Sequence, residues 1–295
     1  MGLCSFIFKV TSLLIKMTNL KYLNPLLRGI QASFFDKLST NKRFLGKMVT
    51  CKLCGFRKQL IKAHIISRKL YEPIREASSD KSLREQIPYI YKVGTEQKPN
   101  QAQSGIYDSS LLCKECDGNL IGPWDKYGQA LLLRPPDSEK YIFDATGKPI
   151  FYKVETFDYK QLKLFFMSIL WRAAITNDEF FSQVQLDPWE KELKKMILEQ
   201  DPGDENAFSV ILLKYEGVFS EITCNPMKAM QDEVNFYRFR FPGYGFLIKV
   251  DQKNILSELN LYLLSATQPL LMRVIEYSNS QEYKKILGLE EQIPN

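Results

Sequence analysis

The sequence predicts an α+β protein, with a metal-pinned N-terminal part and a C-terminal half that mixes helices and strand hairpins. Three observations lead there. Four of the six cysteines stand in two CxxC pairs, Cys51/Cys54 and Cys113/Cys116, a spacing that suits a zinc site better than disulfides. Leu162, Phe165, Phe166, Ile169, Leu170 and Ala173 recur at helical spacing behind Asp158. Residues 141–154 and 236–250 each place two strand-like runs around a turn rich in Gly and Pro. With 295 residues and 45% apolar composition, the chain can bury a sizeable core in one large domain or two modest ones.

Three segments are expected: a basic extension over 1–47, a cysteine finger over 48–135 and an α+β accessory domain over 136–295. The net charge of +6 is unevenly spread. Residues 1–47 hold eight basic side chains against one acidic, residues 48–130 thirteen against nine, and residues 131–295 nineteen against twenty-four. Attraction for a polyanion therefore centres on the finger and the N-terminus. Lys9 and Lys16 interrupt the apolar start and no small-residue cleavage site follows, so neither a signal peptide nor a membrane span is expected. The expected setting is a reducing cytoplasm, and the folded unit is expected to begin at Met48. Residues 20–27 read as a short helix interrupted at Pro25.

From Cys51 the chain turns at Cys54-Gly55, where glycine permits the positive φ of a knuckle. Gln59 to Ile66 then alternates as a half-buried strand, with Ile61, Ala63 and Ile65 on one face and Leu60, Lys62 and His64 on the other. Residues 67–77 are helix-like, and residues 78–103 read as a polar loop. After the second CxxC pair, Gly122-Pro123 is expected to open a helix with proline at its first position. Residues 141–154 form a predicted hairpin, Asp158 a predicted helix cap, and Asp187-Pro188 the predicted start of another helix ending near Asp201-Pro202-Gly203. Strands are expected over 207–215, 236–241 and 246–250, with Leu261 to Tyr277 apolar but of undetermined type. Arg238 and Arg240 share one strand face, a candidate for tracking phosphates or for a solvated edge.

Four cysteines complete a tetrahedral zinc shell with no open position, so a zinc ion held there is structural. His64, the only histidine, is then surplus to coordination. Asp117 follows Cys116 directly, and its side chain suits the N-cap of the following helix.

The CxxC pair, the Ala63-His64-Ile65-Ile66 segment and the Asp108-to-Asp117 segment around the second CxxC resemble the HNH endonucleases of the His-Me finger (ββα-metal) superfamily. The resemblance covers about residues 48–130. It implies a zinc-stabilised ββα-metal finger that hydrolyses phosphodiester bonds, with His64 as general base. Asp108 matches the middle Asn that braces the site, and Asp117 the final His that binds a catalytic Mg²⁺ or Mn²⁺, with Asp108 or Asn119 a further oxygen ligand. Ala63 departs from the acidic or histidine ligand that many members carry before the base. The implied partner is nucleic acid, double-stranded DNA first, contacted by Arg57, Lys62, Arg68 and Lys69. Two other expectations stand beside this: a catalytically degenerate zinc module that recognises nucleic acid or a protein, and a defence-system subunit active only with a partner protein.

Overall fold

The computed structural model describes residues 48–71, 89–92, 100–101, 105–134, 137–217, 223–255 and 258–276. The predicted extension over 1–47, with its short helix at 20–27, lies outside the described residues, as do the second half of the helix predicted over 67–77 and most of the 78–103 loop. The described residues from Val49 onward form one compact unit. The boundary expected near residue 135 falls inside that unit.

Strands β1 (Met48–Thr50) and β2 (Arg57–Gln59) pair across the first CxxC turn, where Gly55 takes φ +75°. Strand β3 (Ala63–His64) follows after a break, so the strand expected over 59–66 is two short ones. Ala63, Ile65 and Ile66 are buried while Lys62 is exposed and His64 half-buried. A 3₁₀ turn covers Arg68–Tyr71. Strands β4 (Tyr89–Tyr91) and β5 (Asn100–Gln101) come next, then β6 (Tyr107–Asp108), which pairs antiparallel with β3.

Helical structure begins at Glu115, earlier than the expected Gly122-Pro123 start. A π-helical segment, Glu115–Ile121, runs straight into α1 (Gly122–Leu132). The wide turn puts the Gly122 N–H on the Asp117 carbonyl and lets Pro123, which has no N–H, sit inside a continuous helical stretch. Strand, strand and helix thus follow one another around the cysteines.

Strands β7 (Tyr141–Phe143) and β8 (Pro149–Val154) form the predicted hairpin. Helix α2 (Tyr159–Ile175) is capped by Asp158, whose side chain accepts from the Gln161 N–H. Its burial exceeds the expected stripe, because every residue from Leu162 to Ala173 is buried, including Lys163, Ser168 and Arg172. Such a helix lies in the interior with neighbours on all sides. Helix α3 (Glu190–Glu199) starts two residues beyond the predicted Pro188, and Gln200 closes it in the left-handed region.

Strands β9 (Val210–Glu216), β10 (Thr223–Gln231), β11 (Val234–Phe241), β12 (Tyr244–Lys249) and β13 (Leu270–Glu276) complete a nine-stranded sheet ordered β5-β4-β10-β11-β12-β9-β13-β8-β7. One apolar cluster runs from Cys51 and Leu53 through α1 and α2 to Phe239 and Phe246, and a smaller one covers the opposite sheet face at Ile211, Tyr215 and Phe236. Arg240 lies on that second face, buried, with its guanidinium 3.7 Å from the Tyr215 ring centroid. The solvated-edge expectation for Arg238 and Arg240 therefore fails, because β11 is an interior strand of the sheet, and Arg240 is buried away from any phosphate while Arg238 is half-buried. Among the described residues, no helix is long and apolar enough to cross a membrane.

Candidate functional site

The four cysteine sulfurs all lie within 4.8 Å of one another, with Cys54 Sγ 4.0 Å from Cys113 Sγ. Zinc–sulfur bonds of about 2.3 Å in a tetrahedron place sulfurs about 3.8 Å apart, so the four residues fit one metal ion with little adjustment. Local geometry explains the convergence. The Cys51 carbonyl accepts from the Gly55 N–H at 2.9 Å, the Lys52 N–H donates to the Leu111 carbonyl at 2.8 Å, and the Cys113 N–H points at Cys51 Sγ at 3.4 Å. Burial raises the Cys51 thiol, but N–H groups of Cys54, Cys113 and Leu53 overcome it and hold it below its ordinary value. Burial together with the neighbouring sulfurs pushes Cys116 up, and burial raises Cys113 as well. Four thiols packed this closely cannot all ionise without a cation between them, which is the chemistry of a closed metal site.

Beside this cluster lies the β3–β6 pair. Ala63 stands opposite Asp108 and His64 opposite Tyr107. Residues directly opposite share a face and successive residues alternate, so His64 and Tyr107 lie on one face and Ala63 and Asp108 on the other. The His64 and Tyr107 rings meet edge to face at 6.1 Å, and Lys62 Nζ sits 4.3 Å from the Tyr107 centroid.

Asp117 occupies the π-helical segment, its N–H bonded to the Cys113 carbonyl at 3.0 Å. Burial raises its carboxyl above the ordinary carboxylate range. The Arg172 and His64 charges draw it down, and the Asp125 charge pushes it further up. His64, Asp125 and Arg172 are thus each within electrostatic reach of Asp117. Asn119 is exposed and two residues along the helical stretch from Asp117, a spacing that turns it to another side. Asp108 is fully engaged elsewhere. Its Oδ1 accepts from the Ser110 N–H at 2.7 Å and the Ser110 hydroxyl at 2.6 Å, and its Oδ2 accepts from the Thr176 hydroxyl at 2.8 Å. Burial opposes ionisation of Asp108, but these hydrogen bonds hold its carboxyl below the ordinary range.

Arg172, which the sequence reading did not single out, joins this group from α2. Its signal was present: with Lys163, it is a charged residue inside the otherwise apolar run of that helix. Its guanidinium is fully buried and bidentate to Asp125, with Nη2–Oδ1 at 2.8 Å and Nη1–Oδ2 at 3.1 Å, and Nη1 donates to the His64 carbonyl at 2.8 Å.

The surface near His64 is basic. Residues 48–71 carry six lysines and arginines and no acidic side chain. Arg57, Lys62, Arg68 and Lys69 are all exposed, whereas Lys58 pairs with Glu115 at 3.3 Å. No protein-family model, no curated protein and no solved structure matches this chain.

Proposed function

We propose that the protein is a metal-dependent endonuclease of the HNH type, hydrolysing phosphodiester bonds in nucleic acid, with DNA as the first candidate. The observation that carries the reading is the lone His64, half-buried on a β-pair and within charge range of Asp117, in a strand–strand–helix frame pinned by four cysteines. An imidazole suits proton abstraction from water near neutral pH, so His64 serves as the general base. The Asp117 carboxylate is a hard oxygen donor suited to Mg²⁺ or Mn²⁺, a cation that would supply charge stabilisation for the phosphoryl oxygens and the leaving group. Asp108 faces away from His64 and acts by bracing the strand pair. Arg57, Lys62, Arg68 and Lys69 hold the phosphate backbone, and Tyr107 lies where a substrate crossing His64 would touch it. The cysteine site holds zinc and takes no part in the chemistry.

One observation favours the alternative of a catalytically degenerate module that binds nucleic acid or a partner protein. Ala63, which stands where an acidic ligand would be expected, is fully buried on the face opposite His64. Plasmid cleavage separates the two. Purified protein with Mg²⁺ or Mn²⁺ is expected to nick or linearise DNA, and His64→Ala to abolish this with zinc content and melting temperature unchanged. Metal-dependent cleavage that survives His64→Ala would remove the assignment.

A further inference from the structure

We infer that the C-terminal end of α2 is part of the His64 site, with Arg172 and the residue capping the helix, Thr176, as positioning residues that hold both strands of the β3–β6 pair. The pair is two residues long on each side, too short to keep its own geometry. Its shape is imposed from outside. Arg172 and Thr176 stand one helical turn apart, and each reaches a different strand. The Arg172 guanidinium donates to the His64 carbonyl on β3, and the Thr176 hydroxyl donates to the Asp108 carboxylate on β6.

The guanidinium has five N–H donors, and five hydrogen bonds are present: Nε to the Ser168 carbonyl, Nη1 to the His64 carbonyl and Asp125, Nη2 to Asp125 and the Ser168 hydroxyl. A fork satisfied on every arm allows one orientation, so β3, α1 and α2 are fixed to each other through one planar group. Lysine, a point charge with three donors, cannot reproduce that geometry. Asp125 carries the linkage into α1, two turns on from Asp117. The C-terminal half therefore contributes directly to the site.

The test uses the full-length chain. Arg172→Met alone strands a buried carboxylate, so the informative variant is Arg172→Met/Asp125→Leu, which replaces the whole pair with apolar groups of similar size. Because His64 is the only histidine, its ring carbons are read without overlap by ¹³C relaxation in the absence of substrate. The inference predicts an ordered ring in the wild type. In the double variant it predicts a clear fall in ring order while melting temperature and bound metal are retained. Thr176→Val, a smaller change, should shift ring order in the same direction. Ring order equal to wild type in both folded variants would overturn the inference.

The kinetic arm rests on the nuclease reading: kcat should fall at least tenfold in the double variant with KM changed less than twofold. If the wild type cuts nothing, that reading fails and ring order still decides the present one. If cleavage falls with ring order unchanged, the positioning role fails and the nuclease reading stands.

Discussion

Removing the metal from the cysteine cluster should release the knuckle and Asp117 together while leaving the rest of the fold in place. Little else holds the knuckle. Strands β1 and β2 are three residues each and mostly exposed, and apolar support comes chiefly from Leu53, Leu111 and Leu112. A metal ion held there would link two pairs whose nearest members, Cys54 and Cys113, are 59 residues apart. Closing a loop of that length in the unfolded chain is worth about 4 kcal/mol by the entropy estimate used for cross-links. Since about 1.4 kcal/mol is a factor of ten, the amides of Cys51, Lys52, Gly55 and Asp117, bonded across or beside the knuckle, should exchange about a thousandfold faster after chelation. Amides of α2, β11 and β12 should change far less. Hydrogen exchange on metal-loaded and chelator-treated protein measures this, with elemental analysis expected to give one zinc per chain. Cys113→Ser should reproduce the chelated pattern. On the nuclease reading, cleavage should be lost with the zinc and not recovered by Mg²⁺ alone, because Asp117 loses its anchor on the Cys113 carbonyl. Protection around residues 51–56 and 111–117 that is indifferent to chelation, or protein that purifies without metal, would refute the reasoning.

Two further perturbations probe the core. A Cβ at Gly128 would meet the Phe165 ring at 2.7 Å, so Gly128→Ala should destabilise by about 1–3 kcal/mol, even though alanine is the better helix former by roughly 1 kcal/mol. A variant melting at or above the wild type would show that α1 and α2 do not approach this closely. Burial of Lys163 lowers its amine from 10.5 to about 8, and burial lowers Lys214 and Lys249 as well. Between those values the unfolded chain holds the Lys163 proton and the folded chain does not, so stability rises with pH across that window. The difference is worth about 3 kcal/mol. Chemical denaturation at pH 8 and pH 10 should show a smaller rise in Lys163→Met than in the wild type, and equal rises would exclude Lys163 as a source.

The parts legible in the sequence are those whose signal is local. Cysteine spacing located the four-cysteine cluster, Asp158 located the start of α2, and the Gly–Pro turns located two hairpins. The missed parts depend on partners distant in the chain. Strand β4 lies in a polar stretch and enters the large sheet only by pairing with β10, more than 130 residues later. The alternation around Arg240 separated the two faces of β11 but could not tell that Arg240 is buried against Tyr215. At the candidate site, His64 and Asp117 were legible because they flank the cysteines. Arg172 stood out as a charge inside an apolar run, but its partners, and the roles of Asp125 and Thr176, were not legible, because nothing in a single sequence pairs α2 with residues some 50 to 110 positions earlier.

Helix α2 shows why the two halves are better understood as one working unit. It buries a charge toward each end. Lys163 donates to the Tyr159 hydroxyl at 2.9 Å and to the Asp204 carbonyl before β9, and Arg172 donates to the finger. Apolar contacts at the same positions would stabilise the interior at least as well, since well-packed replacements of buried ion pairs are often neutral or stabilising. What apolar contacts lack is direction: they would let β3 slide or rotate against α2 with little penalty. A guanidinium with all five donors engaged removes that freedom at the residue bearing the imidazole. The large sheet, packed on α2 through Phe166 and Phe246 at 4.6 Å between ring centroids, supplies the rigid backing that makes such a constraint effective. On the nuclease reading, substitutions on the sheet side of α2 should then disturb turnover before they disturb binding, although none of them lies near the phosphate-contacting lysines and arginines.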